Sequence, residues 1–241
     1  MRLRHLLFLL ILIPSMAFGQ GVISDRVQKA GNKAPKASFS LVTPAQVTLK
    51  NAGIDENFLE QGVLVDLNSQ SISNLQKTTP DVLGISLPLP GLGNVSMTLI
   101  PNRAISEDFI LRDGNDQIIE YTPGLYYQGT LDNDANSVVA ISVFDNEIHG
   151  VVATDIGNFV IGKLENNTLG QHIIYNDRNY KQPGELDCAT DDDNKPYTAE
   201  ELEWDETKSV GDCIRVYVEI DDDIVTNKGG AAGATNYITG V

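Results

Sequence analysis

From Phe109 to Ile174 the chain runs in short apolar stretches divided by small clusters of Asn, Asp and Gly. Phe109–Leu111, Ile118–Tyr121, Tyr126–Leu131, Val138–Phe144, Ile148–Thr154, Asn158–Leu164 and His172–Tyr175 are three to seven residues long, a length that suits strands and not helices. Their separators carry turn chemistry: Arg112-Asp-Gly-Asn115, Asp132 to Asn136, Asp145-Asn146 and Asp155-Ile-Gly157. Gly and Asn tolerate the positive φ of tight hairpins, and Asp accepts hydrogen bonds from nearby backbone N–H groups. No stretch here carries apolar residues at helical spacing. The pattern predicts an antiparallel β-meander.

Upstream, Gln46–Leu49, Val63–Leu67, Val82–Leu87 and Val95–Ile100 read as further strands, with a turn-rich stretch over Pro88–Gly93. Residues 20–37 are polar and mixed, and predict a flexible terminus. Downstream the character changes. Residues 184–209 are crowded with Asp and Glu and poor in apolar residues, which predicts an exposed acidic linker. Ile214, Val216, Val218 and Ile220 then alternate with polar or aromatic neighbours, as in a half-buried strand. Ala234, Tyr237, Ile238 and Val241 fall at helical spacing, and the chain stops inside that pattern. The expectation is a truncated second domain over 210–241.

The first nineteen residues stand apart. Arg2, Arg4 and His5 precede an unbroken apolar run, Leu6–Ile13, closed by Pro14 and followed by small residues at Ala17 and Gly19. That is the layout of a cleavable signal peptide, and the run is far shorter than the ~20 residues of a membrane span. The reading is a secreted protein with cleavage near Gly19. The formal charge of −16 becomes −18 once Arg2 and Arg4 leave. Such a chain repels phosphate and anionic lipid, so neither nucleic acid nor membrane is an expected partner. An apolar content of 41% is enough for a packed core.

Two stretches carry a resemblance. Tyr126–Val152 has an aromatic–Tyr–x–Gly start (Tyr126 to Gly129), a short acidic loop, then Ser137-Val-Val-Ala-Ile-Ser142, a turn and Gly150. It resembles the prodomain of secreted reprolysin/ADAM-type (metzincin) zinc metalloproteases. Cys213-Ile-Arg-Val-Tyr-Val-Glu-Ile-Asp221, with Asn236-Tyr-Ile, is similar to the first strand and helix of the catalytic domain in bacterial members. The resemblance implies a signal peptide (1–19), a flexible mature terminus (20–37), a β-rich prodomain (38–183), an acidic linker (184–209) and the start of a truncated α/β metalloprotease domain (210–241). It implies a prodomain that assists folding and latency, with the chain's own downstream protease domain as its intramolecular partner. Zinc is implied only for such a downstream domain. The HExxHxxGxxH helix that holds zinc and the general base in these enzymes is absent from this sequence, so no catalytic, cofactor or metal residue transfers to it.

Cys188 and Cys213 are the two cysteines. A disulfide between them would close a loop of about 25 residues, contributing on the order of 3 kcal/mol, and is the preferred reading for an exported chain. The alternative, implied by the resemblance, is a cysteine switch in which the Cys188 thiolate occupies the zinc's open position. The acidic neighbours of Cys188 raise a thiol's pKa and disfavour it. Asp191-Asp-Asp-Asn194 fails as an EF-hand, because the positions needing Gly and Glu hold Pro196 and Leu202. Asp221–Asp223 offers only an acidic cluster. His149 and His172 lie in predicted strands without a second ligand at metal spacing, and read as ordinary core or surface histidines. Asn94-Val-Ser96 and Asn166-Asn-Thr168 are glycosylation sequons, and Trp204 is a lone aromatic in the linker. The rival functional class is a non-enzymatic exported β-domain acting as an adhesin or cell-surface binding module.

Overall fold

The computed structural model describes residues 21–103, 105–165, 170–181, 198 and 216–240. Residues 1–20, which hold the expected signal peptide, Cys188, Cys213, Asn166, Trp204 and all of the expected acidic linker (184–209) except Thr198 lie outside these residues. What is described is mainly β, built on one large curled sheet.

The meander is realised as a run of antiparallel neighbours: β8 (Leu125–Leu131), β9 (Asp134–Val143), β10 (Ile148–Thr154), β11 (Gly157–Lys163) and β12 (His172–Asn176). Each pairs with the next, and alternate side chains point to one face. On β9, Val139, Ile141 and Val143 are buried inwards while Val138 and Ala140 are exposed. The helix-free reading of this region holds because its turns come too often for a helix to nucleate.

Five more strands complete the sheet: β1 (Ala37–Phe39), β2 (Val42–Pro44), β3 (Gly62–Leu67), β4 (Leu83–Leu89) and β5 (Gly93–Pro101). The order across it is β1-β4-β5-β8-β9-β10-β11-β12-β3-β2. β1 pairs parallel to β4, so the sheet is mixed and not purely antiparallel as the meander alone suggests. A separate two-stranded ribbon joins β6 (Leu111–Arg112) to β7 (Ile118–Ile119) around the expected Asp-Gly turn.

The two edge strands are separated in sequence only by Ser40 and Leu41. Three Cα–Cα steps reach at most about 11 Å, so the first and last strands of the sheet are neighbours and the sheet curls almost closed. Side chains from all round the curl meet inside. Val65, Leu83, Leu99, Met97, Val139, Val143, Val152 and Ile174 show no exposure at all. A helix, α2 (Ser69–Thr78), plugs one end of the curl with Ile72 and Leu75. Asn68 caps it by accepting the Ser71 N–H at 3.0 Å.

Three expectations are corrected. Residues 22–31 form a helix, α1 (Val22–Gly31), where a flexible terminus is predicted. It crosses the outer face of β5, β8 and β9 and buries Val27. The Gln128 amide oxygen, turned towards Arg26, accepts from both guanidinium nitrogens at 3.0 and 3.2 Å. Gln46–Leu49 is not a strand, the pairing being made by Val42–Pro44 instead. Of the expected strand over Ile214–Ile220, Ile214 and Arg215 lie outside the described residues, and Val216–Ile220 has no regular structure and no strand partner among the described residues. The expected terminal helix does form, as α4 (Ala231–Gly240), preceded by a short α3 (Asp222–Asn227) capped by the Asp221 carboxylate.

Thr79 ends α2 at φ 36°, ψ 61°, a left-handed conformation that a β-branched side chain resists. Thr79→Gly should therefore raise stability by about 1 kcal/mol, read as a higher urea midpoint at unchanged slope. A lower midpoint would mean that the threonine side chain makes a contact worth more than the strain.

Candidate functional site at the docking face of the C-terminal helices

Pairing register decides which side chains share the outer face. Tyr126 of β8 stands opposite Ser142 of β9, which stands opposite His149 of β10. Cross-strand partners point the same way, so these three form a row across the outside of the curl. Outward-facing positions are normally wet, yet all three are buried, at 9%, 8% and 7% exposure. What covers the row is α4.

The contacts are specific. The Tyr126 hydroxyl donates to Thr239 Oγ1 at 3.0 Å, and the Thr239 hydroxyl in turn donates to the Thr235 carbonyl at 2.8 Å. The Tyr121 hydroxyl donates to Asn236 Oδ1 at 2.8 Å. Burial pushes the Tyr121 phenol up to about 12, against the lowering effect of nearby Thr239, so it stays a donor at any ordinary pH. Phe144 packs edge-on to Tyr126 and His149 with ring centroids 6.1 and 5.9 Å apart, and Tyr237 meets His149 at 6.2 Å. Lys228, in the turn between α3 and α4, lies 4.1 Å from the centre of the Tyr237 ring and pairs with Glu165. Positive φ at Gly229 and Gly230 makes that turn.

Behind the row two histidines gather around a carboxylate. His149 Nε2 lies 3.0 Å from Glu147 Oε1, with no aligned hydrogen bond at that nitrogen. Burial raises the Glu147 pKa, but the adjacent His149, with Lys163 and His172 beyond, outweighs it and holds the carboxyl below its ordinary value. His172 is wholly buried, and its Nε2 accepts the Ile148 N–H at 3.1 Å. That fixes the tautomer: Nδ1 carries the proton and donates to the Gly170 carbonyl at 3.2 Å. Burial pushes its pKa down to about 4, so the ring is neutral in the fold.

Both histidines are thus core residues, but only one is ordinary. His172 bridges β12 to the start of β10. His149 faces outwards under a helix lying some ninety residues further along the chain, and no local spacing could have revealed that. Asn94 is exposed at the start of β5, and Asp221 serves as the cap of α3. Among the described residues no group of three or more His, Cys, Asp or Glu could hold a metal ion. None of their helices is long and apolar enough to cross a membrane. An open groove of about 360 Å³ runs beside Tyr126, lined by Thr79, Arg103, Pro123 and Tyr127. The row has no nucleophile paired with a base. Its chemistry is that of holding a helix. No family model and no curated protein matches this chain.

Proposed function

We propose that this chain is the N-terminal region of a secreted zinc metalloendopeptidase precursor, in which the β-rich domain assists folding and keeps the following unit latent. The observation that supports the reading is the docking of α4. This helix comes after the acidic stretch, in the part of the sequence that resembles the start of a catalytic domain, and it is seated on the β-domain by Tyr121, Tyr126 and His149, with Lys228 pairing to Glu165. A domain that grips the first helix of the next unit can template its folding and hinder its movement. Export through residues 1–19 and activation by cutting within 184–209 belong to the same proposal, as does zinc in a unit beyond these residues.

The chain added to the catalytic domain of a secreted metzincin should slow peptide hydrolysis and raise the yield of active enzyme recovered from denaturant. The effect should be saturable at micromolar chain. No slowing and no gain in recovery would remove the precursor reading and leave that of an exported binding module.

A further inference from the structure

Gly240 lies in the last turn of α4, against the His149 ring. A Cβ at that position would stand 2.8 Å from His149 Cδ2, 3.0 Å from Cγ and 3.1 Å from Cβ. The ring has little room to yield. It is bracketed by Phe144 and Tyr237, its Nε2 is against Glu147, and its side chain is 8% exposed. Little apolar area holds α4 down, since only Ala234, Thr235 and Gly240 of the helix are fully covered. Fit at a few points therefore decides what docks.

We propose that the β8–β10 face is a selective receptor for a helix of the pattern Asn-x-x-Thr-Gly, carried in this chain by Asn236, Thr239 and Gly240. His149 is the discriminating residue. It excludes any side chain at the crossing point, and specificity by steric exclusion is as effective as added attraction. Tyr121 and Tyr126 read the amide and the hydroxyl through single hydrogen bonds from their phenols. Glu147 is a positioning residue that sets the ring against the helix. The inference concerns recognition of the helix and stands apart from whether a protease follows.

Hydrogen exchange on the whole chain tests it through an opposition of signs. Alanine is the better helix former, so by propensity alone Gly240→Ala would raise protection of the α4 amides by up to about fivefold. Steric exclusion predicts the reverse: protection of α4 falls at least about tenfold while β9 to β11 keep theirs. Adding His149→Ala to Gly240→Ala opens space for the methyl group and should recover at least about fivefold of that loss. Asn236→Ala and Thr239→Val, which leave the crossing point untouched, should each lower α4 protection by about fivefold. Unchanged or increased protection in Gly240→Ala overturns the proposal. So does a double variant no better protected than the single one. Because the readout is exchange and not inhibition, its failure is distinct from failure of the precursor reading.

Discussion

Gly129→Ala should abolish the fold. Gly129 lies on β8, paired with Leu99 on one side and Val139 on the other, where β8 slips register against β9. A Cβ built there would sit 2.0 Å from the Thr98 carbonyl oxygen and 2.8 Å from Leu99 Cα. Both obstacles are backbone in the middle of the sheet, so no side-chain rotation relieves the overlap. Separating β5 from β8 would open the core at Met97 and Leu99, neither of which has any exposure. The expected loss is at least about 4 kcal/mol, a large fraction of a typical domain's stability. Gly162→Ala on β11 is the control, because a Cβ there meets nothing within 4 Å. It should shift the urea midpoint by no more than about 0.5 kcal/mol equivalent. If Gly129→Ala unfolds at the parent's midpoint, the β5–β8 register described above is wrong.

Acid should unfold the protein well above the pH at which its carboxylates alone would act. In the unfolded chain His172 titrates near the ordinary 6.5, whereas burial holds it near 4 in the fold. Its folded value is the lower one, so between these limits the unfolded state binds the extra proton. The stabilisation is complete above about pH 6.5 and drains away as the pH falls towards 4, amounting to about 3 kcal/mol. Protonating the ring would also convert the acceptor of the Ile148 N–H into a donor, leaving two donors facing each other. Glu147 works in the same direction lower down, since its carboxyl is held below the ordinary value. Urea midpoints at pH 7 and pH 4.5 decide the matter. His172→Gln should start less stable at pH 7 and lose much less than the parent on acidification. Equal midpoints for the parent at both pH values would show that the ring is not buried neutral.

Much of the sheet was legible because its signals are local. Tyr126–Leu131, Val138–Phe144 and Ile148–Thr154 are short apolar runs with Asp and Asn between them; the first and third came out within a residue, while the second begins four residues earlier, at Asp134. Which strands meet across the curl was not legible. β3 pairs with β12, and β1 with β4, through contacts that leave no mark on either segment alone. The helices missed were weakly written. α2 buries only Ile72 and Leu75, and α1 only Val27, too few positions for a periodic signal. The alternation of Val216 and Val218 was real, but a strand needs a partner as well as a pattern, and none pairs with them among the described residues. For the docking face the sequence supplied every component and none of the geometry. His149 looked ordinary because its neighbours in space, Tyr237 and Gly240, come from the far side of the linker.

The pairing of Val65 with His172 also sets a timetable. A chain emerging from its N-terminus releases β3 early, yet β3 has no partner on its β12 side until nearly the whole β-domain has followed. β1 and β2 find their partners β4 and β3 early, but the short stretch between them closes the curl only when the rest of the sheet is in place. Closing such distant contacts costs loop entropy before any burial offsets it, which makes folding slow relative to synthesis. The unfinished sheet meanwhile offers bare hydrogen-bonding edges to other nascent chains. A carrier that shields the chain until His172 is out would keep those edges from pairing with other chains.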